Sequence, residues 1–515
     1  MQWRQTATAA ALAGSLVLAA CGDGAQVGDS GYVEGFLGGV VSDEPRAALI
    51  GREVLSAGGS AADAAVAAYF TLAVTMPGGA GLGGGGVCLV AEPAQDRADV
   101  FEFMPGRPAD PSARFAIPGN ARGMFAVHAR YGVLNWSTLL LPAEGLARDG
   151  HPISRAFARD LDANAQLLKQ HPGTAQTFGV AAGPVAEAAP LQQIPLSAVL
   201  SAIRVRGAGD FYQGGSARQF VDAVRQLGGT LTLDDMRDYL PRLQKPLSAS
   251  SGNDTVYFTG AGGIVAGRIW AMLHDGDRYA DADDDGARAH LVAAASGRAY
   301  AAARADTAVT IDAAAGAALI AGFDAGTRAA AAAGDAPPAA PATQNGASIV
   351  AVDRFGQVVA CGYTMGQPFG AGIMAPGTGI LLAPADARTT LSQPAAMAVV
   401  NRQSEQLYAA AAQAGGSPAA LATLPLDVRE RGVALDAAVA APRLYDPGRP
   451  DIVFHEPSLA AAAQARLDAL GYRRETVSTL GRINGFHCPD GLPRTSRCQF
   501  VNDPRGFGLA ASADE

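Results

Sequence analysis

Between residues 60 and 91 the apolar positions predict a helix and a strand with an unusual passage between them. Ser60 is a helix-capping residue with Asp63 three positions on, a variant of the capping box. The run that follows, Ala61 to Val74, is nearly apolar all round and Pro77 ends it, so the helix is expected to be buried on every side. Pro77 to Gly86, PGGAGLGGGG, then reads as a tight backbone passage into a strand at Val87–Ala91. Phosphate binding is a poor fit to this loop. A P-loop ends in Gly-Lys-Ser/Thr, and a dinucleotide fingerprint is followed by a helix. Cys88 in VCLV and Cys361 in VVAC each sit in a strand-like apolar run and are read as core thiols. The acidic run Asp281 to Gly286 opens like a calcium loop, but its twelfth position is Val292 rather than Glu, so it reads as a solvated helix start.

Composition narrows the class of protein. The 515 residues are 49% hydrophobic and 17% charged, ample for a large buried core. A net charge of -9, with Lys169 and Lys245 the only lysines, argues against nucleic acid and against a broad basic membrane-binding face. Zinc does not fit: none of the seven histidines forms HExxH, and no CxxC occurs. No metal and no other cofactor is expected.

At the N-terminus Arg4 precedes a short apolar run, Ala9 to Ala20, that closes on Leu18-Ala19-Ala20-Cys21. The run is too short for the ~20 residues of a membrane-spanning helix. It resembles a bacterial lipoprotein signal, in which Cys21 would be lipidated and begin the mature chain. That implies a lipid-anchored, periplasm-facing protein of the cell envelope, touching the membrane through its lipid alone. In an exported protein Cys488 and Cys498, which bracket a short polar loop, read as a disulfide stapling a hairpin.

A wider resemblance covers most of the chain. Leu55, Gly58-Gly59-Ser60-Ala61 and Asp63 to Ala67 are similar to the L-x-x-G-G-N-A-x-D-A-A-V-A segment of γ-glutamyltranspeptidases, and the glycine-rich passage to their G-x-G-G-G-G. Gly123-Met124, Tyr131-Gly132, Trp136, Pro142-Ala143, Asp210-Phe211-Tyr212, the segment Leu231 to Tyr239 and Asn502-Asp503-Pro504-Arg505-Gly506 continue the pattern. The resemblance implies an α/β fold, the four-layer α/β/β/α sandwich of N-terminal nucleophile (Ntn) hydrolases. It divides the chain into a leader at 1–21, a tether at 22–35, a large-subunit-like part at 36–328, an Ala/Pro-rich linker at 329–345 and a small-subunit-like part at 346–515. Family members cut themselves in that linker, although its composition equally suits a plain extended connector.

Family enzymes act on γ-glutamyl compounds, glutathione among them, with the first hydroxyl of the new terminus as nucleophile and its α-amine as base. Counting back from Ala351-Val352-Asp353 puts Gly346, Ala347 and Ser348 where the family has Thr, Thr, and His or Ser. Glycine has no nucleophile to offer. Two fallback hydroxyls lie nearby, Thr343 and Ser348. Ser348 shares a strand face with position 346 but is displaced by about 6–7 Å, and catalysis is sensitive to shifts of ~1 Å.

The substrate contacts change too. Met104 falls at the position of the arginine that pairs with substrate carboxylate, with Arg107 nearby as a candidate replacement or an ordinary surface arginine. Gly366 replaces the Asn after Tyr-Thr, Ala387-Arg388 an Asp pair with Asp386 adjacent, and Ala395-Ala396-Met397 a Ser-Ser-Met. Gly415 and Gly416 keep the place of the family's oxyanion glycines, whose backbone N–H groups would stabilise a developing negative oxygen. The leading expectation is a family member silent in γ-glutamyl transfer and glutathione hydrolysis, holding a small γ-glutamyl or peptide ligand. The alternatives are a diverged amidohydrolase using Ser348 or Thr343, and a solute-binding lipoprotein on an unrelated two-lobed fold.

Overall fold

The computed structural model describes residues 36–305, 310–328, 346–386, 393–401, 403–404, 406–412, 417–492 and 498–513. Residues 1–35 with Cys21, residues 329–345 with Thr343, Ala387-Arg388 and the Gly415-Gly416 pair, to which the expected leader, tether, linker, acidic-pair and oxyanion positions were assigned, lie outside the described residues.

Two antiparallel sheets pack face to face between helical layers. The seven-stranded sheet runs in the order Leu509–Ser512, Gly38–Ser42, Ala347–Asp353, Val358–Thr364, Gly85–Glu92, Arg97–Phe103, Arg242–Gln244. The six-stranded sheet runs Gln499–Val501, Ile483–Cys488, Leu407–Ala412, Ala395–Asn401, Asp254–Phe258, Leu247–Ser251.

Strand periodicity assigns the layers. In Ala347–Asp353, Val350 and Val352 join Leu89, Ala360, Ala398 and Phe486 between the sheets, while Ala347, Ile349 and Ala351 face the helices on the other side. Helices Ala61–Thr75 and Asn120–Tyr131 cover that outer face, and Ala261–His274 and Asp285–Ala305 cover the six-stranded sheet. The expected four-layer α/β/β/α sandwich is the observed fold.

The apolar helix is buried along all of Ala61–Thr75 and carries the capping box predicted from Ser60 and Asp63. A second cap comes from far along the chain: Asp353 Oδ2 accepts from the Ala61 N–H at 3.0 Å, and Gln357 Oε1 from Ala62 at 2.9 Å. The aspartate ending the central strand therefore locks strand to helix by satisfying orphan helix donors. The acidic run also starts a helix, Asp285–Ala305, with Asp284 accepting from the Ala287 N–H.

The cysteines need one correction. Cys488–Cys498 forms the expected disulfide, but Cys88 and Cys361, read as core thiols, are bonded to each other across a separation of 273 residues. Their strands pair antiparallel with Cys361 directly opposite Cys88, a register that no local pattern reveals.

Candidate functional site

Gly346 immediately precedes Ala347–Asp353, a strand flanked on both sides by others. Its backbone does not leave room for a side chain. Gly346 has φ +105, and a Cβ built there would lie 2.1 Å from the Tyr363 carbonyl oxygen of the neighbouring strand. From the other side the glycine-rich passage closes in: a Cβ on Gly79 would lie 2.7 Å from the Gly346 oxygen. Gly79 thus makes a backbone-to-backbone contact with Gly346, while Gly83, Gly84, Gly85 and Gly86 approach the carbonyl oxygens of Leu381, Thr364, Phe103 and Gly362, close passages that account for these glycines without any phosphate.

Around Gly346 the polar groups form one buried network. Arg482 donates from Nη2 to the Gly346 carbonyl oxygen at 3.3 Å, and its Nε lies 3.3 Å from Asp43 Oδ1. Asp43 Oδ2 accepts from both the backbone N–H and the Oγ of Ser348, at 2.7 and 3.0 Å. Asn484 Nδ2 donates to Ser348 Oγ at 2.9 Å. Ser348 is fully buried, its hydroxyl is engaged as donor and as acceptor, and its residue pairs with Gly362 inside the sheet ladder. Such a hydroxyl supports structure; to become a terminal nucleophile it would have to leave the ladder and two hydrogen bonds.

Partly buried Asp160 also faces Arg482 and Asp43. Burial pushes its carboxyl up to about 6, against the pull of Arg482 and with Asp43 adding to the rise.

The other expected contacts are scattered. Arg107 is exposed, whereas Met104 is buried and its carbonyl accepts from the Tyr239 hydroxyl at 2.9 Å. Gly366 has φ +83 and donates its N–H to Thr364 Oγ1, and Asp386 is exposed. Ala395, Ala396 and Met397 begin a buried strand of the second sheet. None of these side chains offers a buried charged seat for a substrate carboxylate or amine.

Sequence reasoning missed Asp43, Arg482 and Asn484, which are drawn from opposite ends of the chain. The closing Asp503-Pro504-Arg505 segment buttresses the strand beside it. Asp503, almost fully buried, pairs with Arg443 at 2.5 Å and accepts from the Ile483 N–H at 2.7 Å, fixing the strand that carries Asn484. Burial by itself would raise the Asp503 carboxyl, but Arg443 and Arg505 with two backbone N–H groups outweigh it and hold the group below the usual carboxylate range.

A depressed folded value means the pair stabilises fully above the unfolded carboxylate range, near pH 4, and that this stability is lost as pH falls through the lower folded value. Asp503→Ala is accordingly expected to lower stability by roughly 3–5 kcal/mol at neutral pH. Denaturant titrations at pH 7 and pH 3 check this, with the gap between variant and parent narrowing in acid.

The four-layer sandwich with a central strand opening at the site defines the class of Ntn-hydrolase folds. A family model for gamma-glutamyltranspeptidase matches residues 47–385, and the chain belongs to that family. A glutathione hydrolase of Aspergillus flavus is 34% identical over 220 residues, covering 39% of this chain and 36% of that protein. Glutathione hydrolase 3 of Arabidopsis thaliana is 30% identical over 243 residues, covering 44% of this chain and 38% of its own length. The matched regions thus span little more than a third of these curated relatives. Cephalosporin acylase from Bacillus halodurans superposes with a TM-score of 0.78 over 93% of this chain and 96% of its own, at 20% identity. That likeness shows the fold alone.

Proposed function

We propose that this chain is a γ-glutamyltranspeptidase-family protein of the bacterial envelope that neither cleaves itself nor transfers γ-glutamyl groups nor hydrolyses glutathione. The observation that carries the reading is Gly346: it has no hydroxyl, and its φ of +105 with the Tyr363 oxygen 2.1 Å from any Cβ leaves the position unable to hold one. Ntn catalysis requires a terminal hydroxyl or thiol with its own α-amine as base, and Ser348 spends its hydroxyl on Asp43 and Asn484. The large- and small-subunit-like parts stay one chain joined through residues 329–345. The old cleft, lacking its carboxylate and amine anchors, holds at most a small γ-glutamyl or peptide ligand.

Release of glutamate from glutathione or of the chromophore from γ-glutamyl-p-nitroanilide is expected at the uncatalysed rate. Turnover that titrates with the purified protein would remove this reading. The anchor is tested separately: cells fed labelled palmitate should label the parent protein and not Cys21→Ala. An unlabelled parent, or a labelled variant, would count against lipidation at Cys21.

A further inference from the structure

A second arrangement of reactive groups lies at the edge of the six-stranded sheet. Ser251 ends the edge strand Leu247–Ser251, and its Oγ lies 2.7 Å from His274 Nε2 at the end of helix Ala261–His274. On the other side of the ring, His274 Nδ1 lies 2.6 Å from Glu430 Oε1. With Nδ1 protonated toward the carboxylate, Nε2 is free to accept the serine proton, so the three side chains stand as nucleophile, base and orienting acid.

We infer that Ser251, His274 and Glu430 form a serine-type acyl-transfer site for small esters, separate from the Gly346 position.

Three observations support a chemical rather than a merely structural chain of hydrogen bonds. The hairpin carrying Ser251 is already tied to the same segment by the ion pair of Asp254 with Arg429, so the triad is not needed to hold it. Glu430 closes a single wide π-helical turn, Leu426–Glu430, a rare local form that recurs at functional sites. The Trp270 ring stacks on His274 at 4.7 Å and 15°, fixing the imidazole plane.

A cavity of about 200 Å³ lies against His274, lined also by Ala249, Ser250, Trp270, Asp275 and Asp277. Its size suits a short acyl chain, and the two lining carboxylates favour an uncharged or cationic ester over an anionic one. Glu430 raises the His274 value above its usual range, outweighing burial, with Asp277 and Asp275 adding to the rise. The imidazolium formed on proton transfer is thereby stabilised, as a base in this role requires.

In the reaction Ser251 Oγ bonds to the ester carbonyl carbon while its proton passes to His274 Nε2. The ester C–O bond then breaks and the alcohol leaves with that proton. Water, deprotonated by the same nitrogen, hydrolyses the acyl-serine to the carboxylic acid and regenerates the hydroxyl. Glu430 touches neither reactant and is a positioning residue.

The test uses the purified full chain with a fluorophosphonate probe and p-nitrophenyl acetate. Ser251 should carry the label, displacing fluoride, and Ser251→Ala and His274→Gln should lose labelling and ester hydrolysis at unchanged Tm. Glu430→Gln should slow labelling at least tenfold, and Glu430→Asp should recover part of it, a split that loss of fold would not produce. Absence of label from Ser251 in the parent, or equal labelling in the His274→Gln variant, overturns the inference. Either outcome leaves the account of Gly346 untouched, because no residue is shared.

Discussion

Gly346→Thr, the substitution that restores the family's residue, is expected to destabilise the protein by roughly 2–6 kcal/mol and to bring about neither self-cleavage nor γ-glutamyl transfer. Two costs add. An L-residue held at φ +105 occupies a strained backbone region worth on the order of 1–3 kcal/mol, and its Cβ would enter the space of the Tyr363 carbonyl at 2.1 Å, an overpacking cost of about 1–3 kcal/mol. Relief would require the head of the strand to move. Tyr363 is held there by its pairing with Ala347, and Gly79 packs on the Gly346 carbonyl from the opposite side. The obstacle to a hydroxyl at position 346 therefore lies in the backbone as well as in the missing side chain, and a single substitution should not remove it. Urea unfolding of the variant measures the first expectation and a denaturing gel the second. A stable Gly346→Thr protein that splits in two would mean that the backbone adapts readily.

Removing the Cys88–Cys361 disulfide should produce an effect of similar size. The bond closes a loop across 273 residues, and in the chain-entropy view a loop of that length restricts the unfolded chain by up to ~5 kcal/mol, with 2–5 kcal/mol typical of native disulfides. It ties Gly85–Glu92 to Val358–Thr364, and so fixes the strand whose Tyr363 carbonyl faces Gly346. Cys88→Ala with Cys361→Ala is expected to lower the denaturation midpoint well beyond the loss from replacing Cys488 and Cys498, whose separation is only 10 residues. Equal losses from the two pairs would contradict the loop-length argument.

What could be read from the sequence was whatever is local or carried by a motif. The Ser60–Asp63 cap and the all-apolar helix depend on residues within one or two turns, and they stand as expected. The strand ending at Asp353 was legible through its resemblance to the family's segment, although the reason for that aspartate, a cap on a helix 292 residues away, was not. The Cys488–Cys498 staple was legible because its loop is short. Cys88 and Cys361 looked like two buried thiols, since nothing within either strand states which strand will lie beside it. Asp43, Ser348 and Asn484 meet across separations of 305 and 136 residues, so their network follows from strand order rather than from any motif. Ser251, His274 and Glu430, separated by 23 and 156 residues, were invisible for the same reason. Glycine at position 346 could be named from register, but its positive φ and closed surroundings belong to the folded chain.

The most direct test of this account is the covalent state of the protein as purified, read by a denaturing gel with N-terminal sequencing and intact mass. A single polypeptide is expected, close to the 52.2 kDa of the 515 residues, with no terminus between residues 329 and 348. Two fragments, one beginning at Thr343, Gly346 or Ser348, would show that the chain still cuts itself and would contradict the proposal of a silent site.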